Sequence, residues 1–189
     1  MVAVNAAFGL RPESNSMGYG TRGVRCLIGG LPTGYNTAIY QHQPIKMLNT
    51  GYIAPVSATS DAFIGTFVGV EYIDVNGKQT ISNQWPANTT ATSIRVYFTD
   101  DPSTVYEIQS DGSLAQSSIG EQAYLTNLTA NNGLGMSQAT ISATTVNSGT
   151  RQLRIIDVNQ DLNNAWSDAY TIVRVQISNH QYAGAVIAF

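Results

Sequence analysis

The sequence predicts a mostly β protein: a short-stranded antiparallel sandwich or partly closed barrel, with an extended N-terminal arm and at most one short helix. Three observations carry this. Short runs rich in β-branched and aromatic residues alternate apolar and polar positions with period two. Turn signals such as Asn76-Gly77 and Asp111-Gly112 close those runs. No stretch sustains an apolar stripe at helical spacing.

Residues 1–23 are rich in Gly, Asn, Ser and Arg, hold Pro12 and show no period, so they read as the extended arm. Residues 24–189 read as a single β-rich domain. Residues 67–75 alternate over their centre and run into Asn76-Gly77, a hairpin turn because both residues tolerate φ > 0. Residues 78–82 form the return strand. Residues 92–99 place Ile94, Val96 and Phe98 on one face and stop at Asp100-Asp101-Pro102, where Pro pre-sets the turn. Residues 104–109 follow and end at Asp111-Gly112. Residues 152–159 and 170–178 are the last clear strands. Before them, residues 113–150 are loop-rich. A short helix is expected near 119–128, from the spacing of Ile119, Ala123, Tyr124 and Leu128, and an edge strand around 139–142. No repeat of 20–50 residues is present.

Composition bounds the function. Charged residues make up 11% of the chain, against about 25% in an ordinary soluble domain. Thr, Ser, Asn and Gln take their place. With 43% hydrophobic residues the chain folds, and 189 residues suffice for one good core or two small ones sharing an interface. A net charge of -3 argues against nucleic acid, whose binding needs a basic face. No apolar run approaches the ~20 residues of a membrane helix. The first residues lack the basic region and apolar core of a secretion signal, so cytoplasmic synthesis is expected. A single cysteine, Cys26, leaves no internal disulfide, and its apolar neighbours Val24, Leu27 and Ile28 suggest a small buried hydrophobe.

Sites of chemistry are sparse. Asp100 and Asp101 could hold a divalent cation, yet Asp-Asp-Pro is also ordinary turn chemistry, and no EF-hand spacing surrounds it. Asp157, Asp161 and Asp168 surround Trp166 as a carboxylate pair in a glycosidase would, but interleaved Asn159, Asn163 and Asn164 point to a polar loop of Asx-turns. His42 and His180 lack a nearby nucleophile motif and read as structural or interface histidines. Asn88-Thr-Thr90 and Asn127-Leu-Thr129 match the glycosylation pattern as chance matches in an Asn- and Thr-rich chain. Ten tyrosines with Trp85 and Trp166 suit a sugar-binding face or a protein interface equally. Arg11, Arg22 and Arg25 give the first 30 residues a local charge of about +2 with Glu13 counted, which favours carboxylates on a protein partner over nucleic acid.

Several segments, in order, resemble a family of tailed-bacteriophage head proteins, the structural cement or decoration proteins. They are Phe8-Gly-Leu-Arg-Pro12, Phe63-Ile-Gly-Thr-Phe-Val-Gly-Val-Glu-Tyr72, Thr99-Asp-Asp-Pro102 with Tyr106-Glu-Ile-Gln109 and Asp111-Gly112, Gln152-Leu-Arg-Ile155, and Val173-Arg-Val-Gln-Ile-Ser-Asn-His-Gln181. Residues 182–189 run past the last shared element. The resemblance implies a non-enzymatic virion protein on the outer surface of an icosahedral capsid, clamping neighbouring major capsid subunits and stabilising the head. It implies self-association as a homotrimer, or else a dimer, with no cofactor, metal, small-molecule ligand, nucleic acid or membrane. The arm residues Phe8, Arg11, Tyr19, Arg22 and Arg25 are the expected interface, with Phe8 an apolar anchor and Arg11 and Arg22 pairing with shell carboxylates. A carbohydrate-binding or host-adhesion module of a phage particle is the alternative.

Overall fold

The fold was analysed in a computed structural model that describes residues 4–15 and 24–184. Its strands in chain order are β1 (Arg11–Asn15), β2 (Arg25–Ile28), β3 (Pro44–Met47), β4 (Ile53–Pro55), β5 (Gly65–Asp74), β6 (Gln79–Ser82) and β7 (Ala91–Phe98). They continue as β8 (Thr104–Gln109), β9 (Gln122–Ala123), β10 (Leu125–Thr126), β11 (Thr140–Ile141), β12 (Leu153–Val158) and β13 (Ile172–Ile177). The first sheet has the order β1-β8-β13-β12-β9, the second β2-β7-β5-β3-β4, with β6 also on β5. Strands β10 and β11 form a small ribbon. Every named pairing is antiparallel. The mostly β, antiparallel class predicted from alternation is the one observed.

Period-two alternation divides the interior in two. In the first sheet Tyr106, Ile108, Val173, Val175, Ile177, Leu153 and Ile155 turn inward and join Leu10, Val56 and Phe63. In the second, Phe67, Val70, Tyr72, Ile94, Val96 and Phe98 pack with Ile39, Ile45, Ile53 and Trp85. Tyr72 meets Trp85 edge to face at 5.4 Å. Burying each large side chain contributes about 1.5–3 kcal/mol.

The two cores meet beside Phe63 and Ile64. Phe63 belongs to the first core and Ile64 to the second. Beside them the Tyr106 hydroxyl lies 3.1 Å from Thr99 Oγ1, which also accepts the Thr66 amide at 3.2 Å. Burial drives the Tyr106 phenol far above its ordinary pKa, so it stays a neutral hydrogen-bonding group. Between these residues sits Gly65 at φ 154°, where an added Cβ would lie 2.0 Å from the Thr99 carbonyl oxygen. Only glycine lets the two chain segments approach this closely.

In the described part of the expected extended arm, residues 4–15, the chain lies along the first sheet, with β1 paired to β8 and Leu10 wholly buried. Two expectations are corrected. The helix expected near 119–128 is absent. A 3₁₀ turn spans Gln116–Ser118, Gly120 takes φ 87°, and Gln122–Ala123 pairs with β12. The apolar spacing there reflects two short strands entering the core. Cys26 is exposed, because β2 is an edge strand whose even-numbered side chains face outward.

Candidate interaction surface

The N-terminal segment is held by groups of β8. The Gln109 side chain accepts the Ala6 amide through Oε1 and donates through Nε2 to the Val4 carbonyl, each at 2.9 Å. It thereby acts as a neighbouring strand would. Leu10 donates its amide to the His42 carbonyl at 2.9 Å, and His42 Nδ1 lies 3.3 Å from the Phe8 carbonyl oxygen. Gly9, at φ 77°, allows this approach, since a Cβ there would meet the His42 carbonyl oxygen at 2.6 Å.

Register then builds a charge ladder across the first sheet. Arg11 on β1 is opposite Glu107 on β8, Glu107 is opposite Arg174 on β13, and Arg174 is opposite Asp157 on β12. Charges of alternating sign in one cross-strand row attract at every step. Arg11 Nε donates to Glu107 Oε2 at 2.9 Å, and a second donor, Nη2, binds the same oxygen. Asn159 donates to the other carboxylate oxygen. Arg174 reaches Glu13 at 2.6 Å. The Arg11 guanidinium also lies 4.6 Å over the Phe8 ring.

The expected interface residues thus fall into three groups. Phe8 and Arg11 are brought together, but Arg11 binds a carboxylate of its own chain. Arg25 pairs with Asp100 at 2.6 Å and stands 5.8 Å from the Phe98 ring. The Asp100 hydrogen bond holds its pKa above the ordinary value against desolvation. Tyr19 and Arg22 lie outside the described residues. Sequence reasoning missed Glu107 and Gln109. The available signal was a pair of polar side chains inside β8, a strand with no exposed residue.

Two further ion pairs follow the same rule. Lys46 pairs with Asp61 at 2.7 Å. Burial raises the Asp61 pKa, but Lys46 and the Ser57 and Ala58 amides outweigh it and hold the carboxyl below its usual range. On the outer face of the second sheet Glu71 accepts from Tyr97 Oη at 2.9 Å and from Gln79, with Arg95 at 3.5 Å. The Tyr97 bond leads in holding the Glu71 pKa down.

Most of the remaining candidates hold their own local backbone. Asp101 Oδ1 accepts the Ser103 amide. Asp161 Oδ1 accepts the Asn163 amide, Asp168 Oδ2 the Ala165 amide and Asp157 Oδ1 the Val158 amide. Asn88 and Asn127 sit at φ 60° and 52° in turns. His180 Nδ1 accepts the Tyr182 amide at 3.0 Å. Among the described residues no group of three or more His, Cys, Asp or Glu could hold a metal ion, and no helix is long and apolar enough to cross a membrane.

Beside a few exposed charges such as Lys78, Asp111 and Asp161, the surface offers neutral polar groups and isolated aliphatics: Val4, Ile28, Val75, Ile81, Leu134 and Leu162 are exposed. Compared with protein-family models, with curated proteins and with solved structures, the chain matches none.

Proposed function

We propose that this chain is a non-enzymatic virion protein that binds the outer surface of an icosahedral phage capsid and clamps neighbouring major capsid subunits. One observation carries the reading. Of the eight described lysines and arginines, five, Arg11, Arg25, Lys46, Arg95 and Arg174, meet carboxylates of their own chain. Much of the outward surface is made of hydrogen-bonding and aliphatic groups, which pack against a neighbour without stripping water from ions. The ordered segments from Phe8 to Gln181 that resemble cement proteins support the same role. Many copies on one shell multiply a modest contact by avidity.

The test is co-sedimentation of the purified protein with empty shells of the phage's major capsid protein, followed by electron microscopy of decorated heads. Attachment is expected to saturate at a fixed ratio to capsid subunits and to raise the temperature at which heads rupture. It is also expected to change little between about 0.05 and 0.5 M salt, a range over which exposed ion pairs are strongly screened. Absence of binding, or binding that collapses across that range, would overturn the reading.

A further inference from the structure

Among the described residues glycine follows an Asn or Asp at three places: Asn76-Gly77, Asp111-Gly112 and Asn132-Gly133. These pairs share a reactivity. The glycine amide nitrogen can attack the side-chain carbonyl carbon of the residue before it, because glycine brings no Cβ into the way. In a folded chain the outcome depends on how firmly that side chain and that amide are held. The three sites differ in this.

At Asp111 both carboxylate oxygens are taken: Oδ1 accepts the Ala143 amide at 2.8 Å and Oδ2 the Thr126 hydroxyl at 3.1 Å. Ala143 also crowds Gly112, where an added Cβ would lie 3.0 Å from the alanine methyl. At Asn132 the carboxamide oxygen accepts the Leu134 amide at 2.9 Å and the Met136 amide at 3.1 Å, and Gly133 gives its own amide to Asn131 Oδ1 at 2.9 Å. The hairpin turn between β5 and β6 spends its amides on Asp74 instead. Asn76 and Lys78 both donate to Asp74 Oδ1 at 2.9 Å, and Gly77 donates to the Asp74 carbonyl at 3.0 Å. Among the described residues no amide donates to the Asn76 carboxamide oxygen. Its nitrogen lies beside the Asp74 carboxylate, which favours the positive charge that nitrogen gains on leaving. Residues 75–78 are all exposed, and nothing lies within 4 Å of the Gly77 Cβ position to obstruct ring closure. The attack at Asn76 must release one exposed backbone bond, which slows it by about tenfold. At Asn132 two further bonds must go, a further factor of about a hundred.

We infer that Asn76 is a site of spontaneous modification in this protein, deamidating through a cyclic imide with Gly77. The Gly77 nitrogen forms a bond to Asn76 Cγ, the Cγ–Nδ2 bond breaks, and the Gly77 amide proton departs with Nδ2 as ammonia. Water then opens the ring at either carbonyl. One opening leaves an aspartyl residue at position 76, the other an isoaspartyl residue whose main chain runs through the former side chain. Water is the only other reactant. Either product sets a new negative charge beside the Asp74 carboxylate that caps the turn. The isoaspartyl product also lengthens a turn whose closure sets Ile73 opposite Gln79. Strand β6 pairs only with β5 among the described strands, so the modification loosens an edge of the second sheet. The inference goes beyond shell attachment and does not rest on it.

The test is incubation of the full chain at mildly alkaline pH in water enriched in oxygen-18, followed by peptide mapping with tandem mass spectrometry. The heavy oxygen marks each imide that opens. Label is expected to enter position 76 first, at about a hundred times the rate at position 132 in the native protein. In chain denatured with urea the two rates should converge, because the protection of Asn132 is structural. Gly77→Ala, which places a methyl group beside the attacking nitrogen, should slow labelling at position 76 severalfold while leaving position 132 unchanged. Native protein that labels at position 132 as fast as at position 76 would overturn the inference. So would native protein that stays unlabelled at position 76 while the denatured chain is converted there, or a Gly77→Ala protein that labels as the parent does.

Discussion

Phe63 and Ile64 are consecutive residues, both wholly buried, and each belongs to a different core. Extended alternation turns one side chain to each side, so this step sets consecutive residues in the two halves of the molecule. Damage at either residue is therefore damage to both. Phe63→Ala is expected to lower stability by about 3–5 kcal/mol and Ile64→Ala by about 2–5 kcal/mol. Trp85 lies in the second core and Trp166 packs against the first. Single-tryptophan variants should therefore show coincident urea midpoints by fluorescence. Midpoints that separate would mean that the cores unfold independently.

The N-terminal segment is part of the fold. Leu10 is buried in the first core, and Leu10→Ala should cost about 2–5 kcal/mol by denaturant titration. Arg11→Ala leaves the nearly buried Glu107 without its main cation and should cost about 1–3 kcal/mol. Deleting residues 1–15 removes β1 and the partners of Gln109, and the product is expected to lose cooperative unfolding. A truncated chain that melts as the parent does would show that β1 contributes nothing.

Gly65 tests the close approach between segments. Gly65→Ala sets a methyl group against the Thr99 carbonyl and should destabilise by about 3 kcal/mol or more. Gly77→Ala is the control. Gly77 also has positive φ, 77°, but nothing lies within 4 Å of the added carbon. It should lose only the ~1–2 kcal/mol of a left-handed alanine. Equal losses would remove steric contact as the cause at Gly65.

Two histidines set an acid limit. Burial leads in lowering the pKa of His42, against the pull of the Phe8 carbonyl and with help from Arg11. Burial likewise lowers His180, against Ile64, Asp100 and Asp101. Both therefore bind a proton less readily in the native state than in the unfolded chain. As pH falls below about 6.5 the unfolded chain binds protons that the native state refuses. Urea midpoints should therefore decline from pH 7.5 toward pH 5.5, before the carboxylates titrate. His42→Asn combined with His180→Asn should flatten that decline. An unchanged slope would assign it to other groups.

The long strands were readable from the sequence because they alternate. Residues 67–75, 92–99, 104–109, 152–159 and 170–178 contain or overlap β5, β7, β8, β12 and β13. Asp74, Asn76, Gly77 and Lys78 form the predicted hairpin turn, with the Asp74 carboxylate accepting the Asn76 and Lys78 amides, and β11 falls where residues 139–142 predict a strand. Strands β3, β4, β9 and β10 are two to four residues long, too short to show a period. Their formation depends on distant partners. The surface was less readable for the same reason. Phe8 and Arg11 are close in sequence, but Glu107 comes opposite Arg11 only through the register of β1 on β8. Cys26 looks buried among apolar neighbours until β2 is known to be an edge.

The pairing of β1 with β8 has a consequence for how the protein is made. Arg11 and Glu107 are 96 positions apart. At bacterial or eukaryotic elongation rates, β1 leaves the ribosome about 5–20 s before the strand it needs. The second sheet, whose strands end with β7, can assemble during that wait, while β13 and β12 must still follow before the first sheet closes. Leu10 and Phe8 therefore spend that interval without their final partners. Nascent-chain lifetime and aggregation during synthesis should depend on how long the first strand stays unmatched.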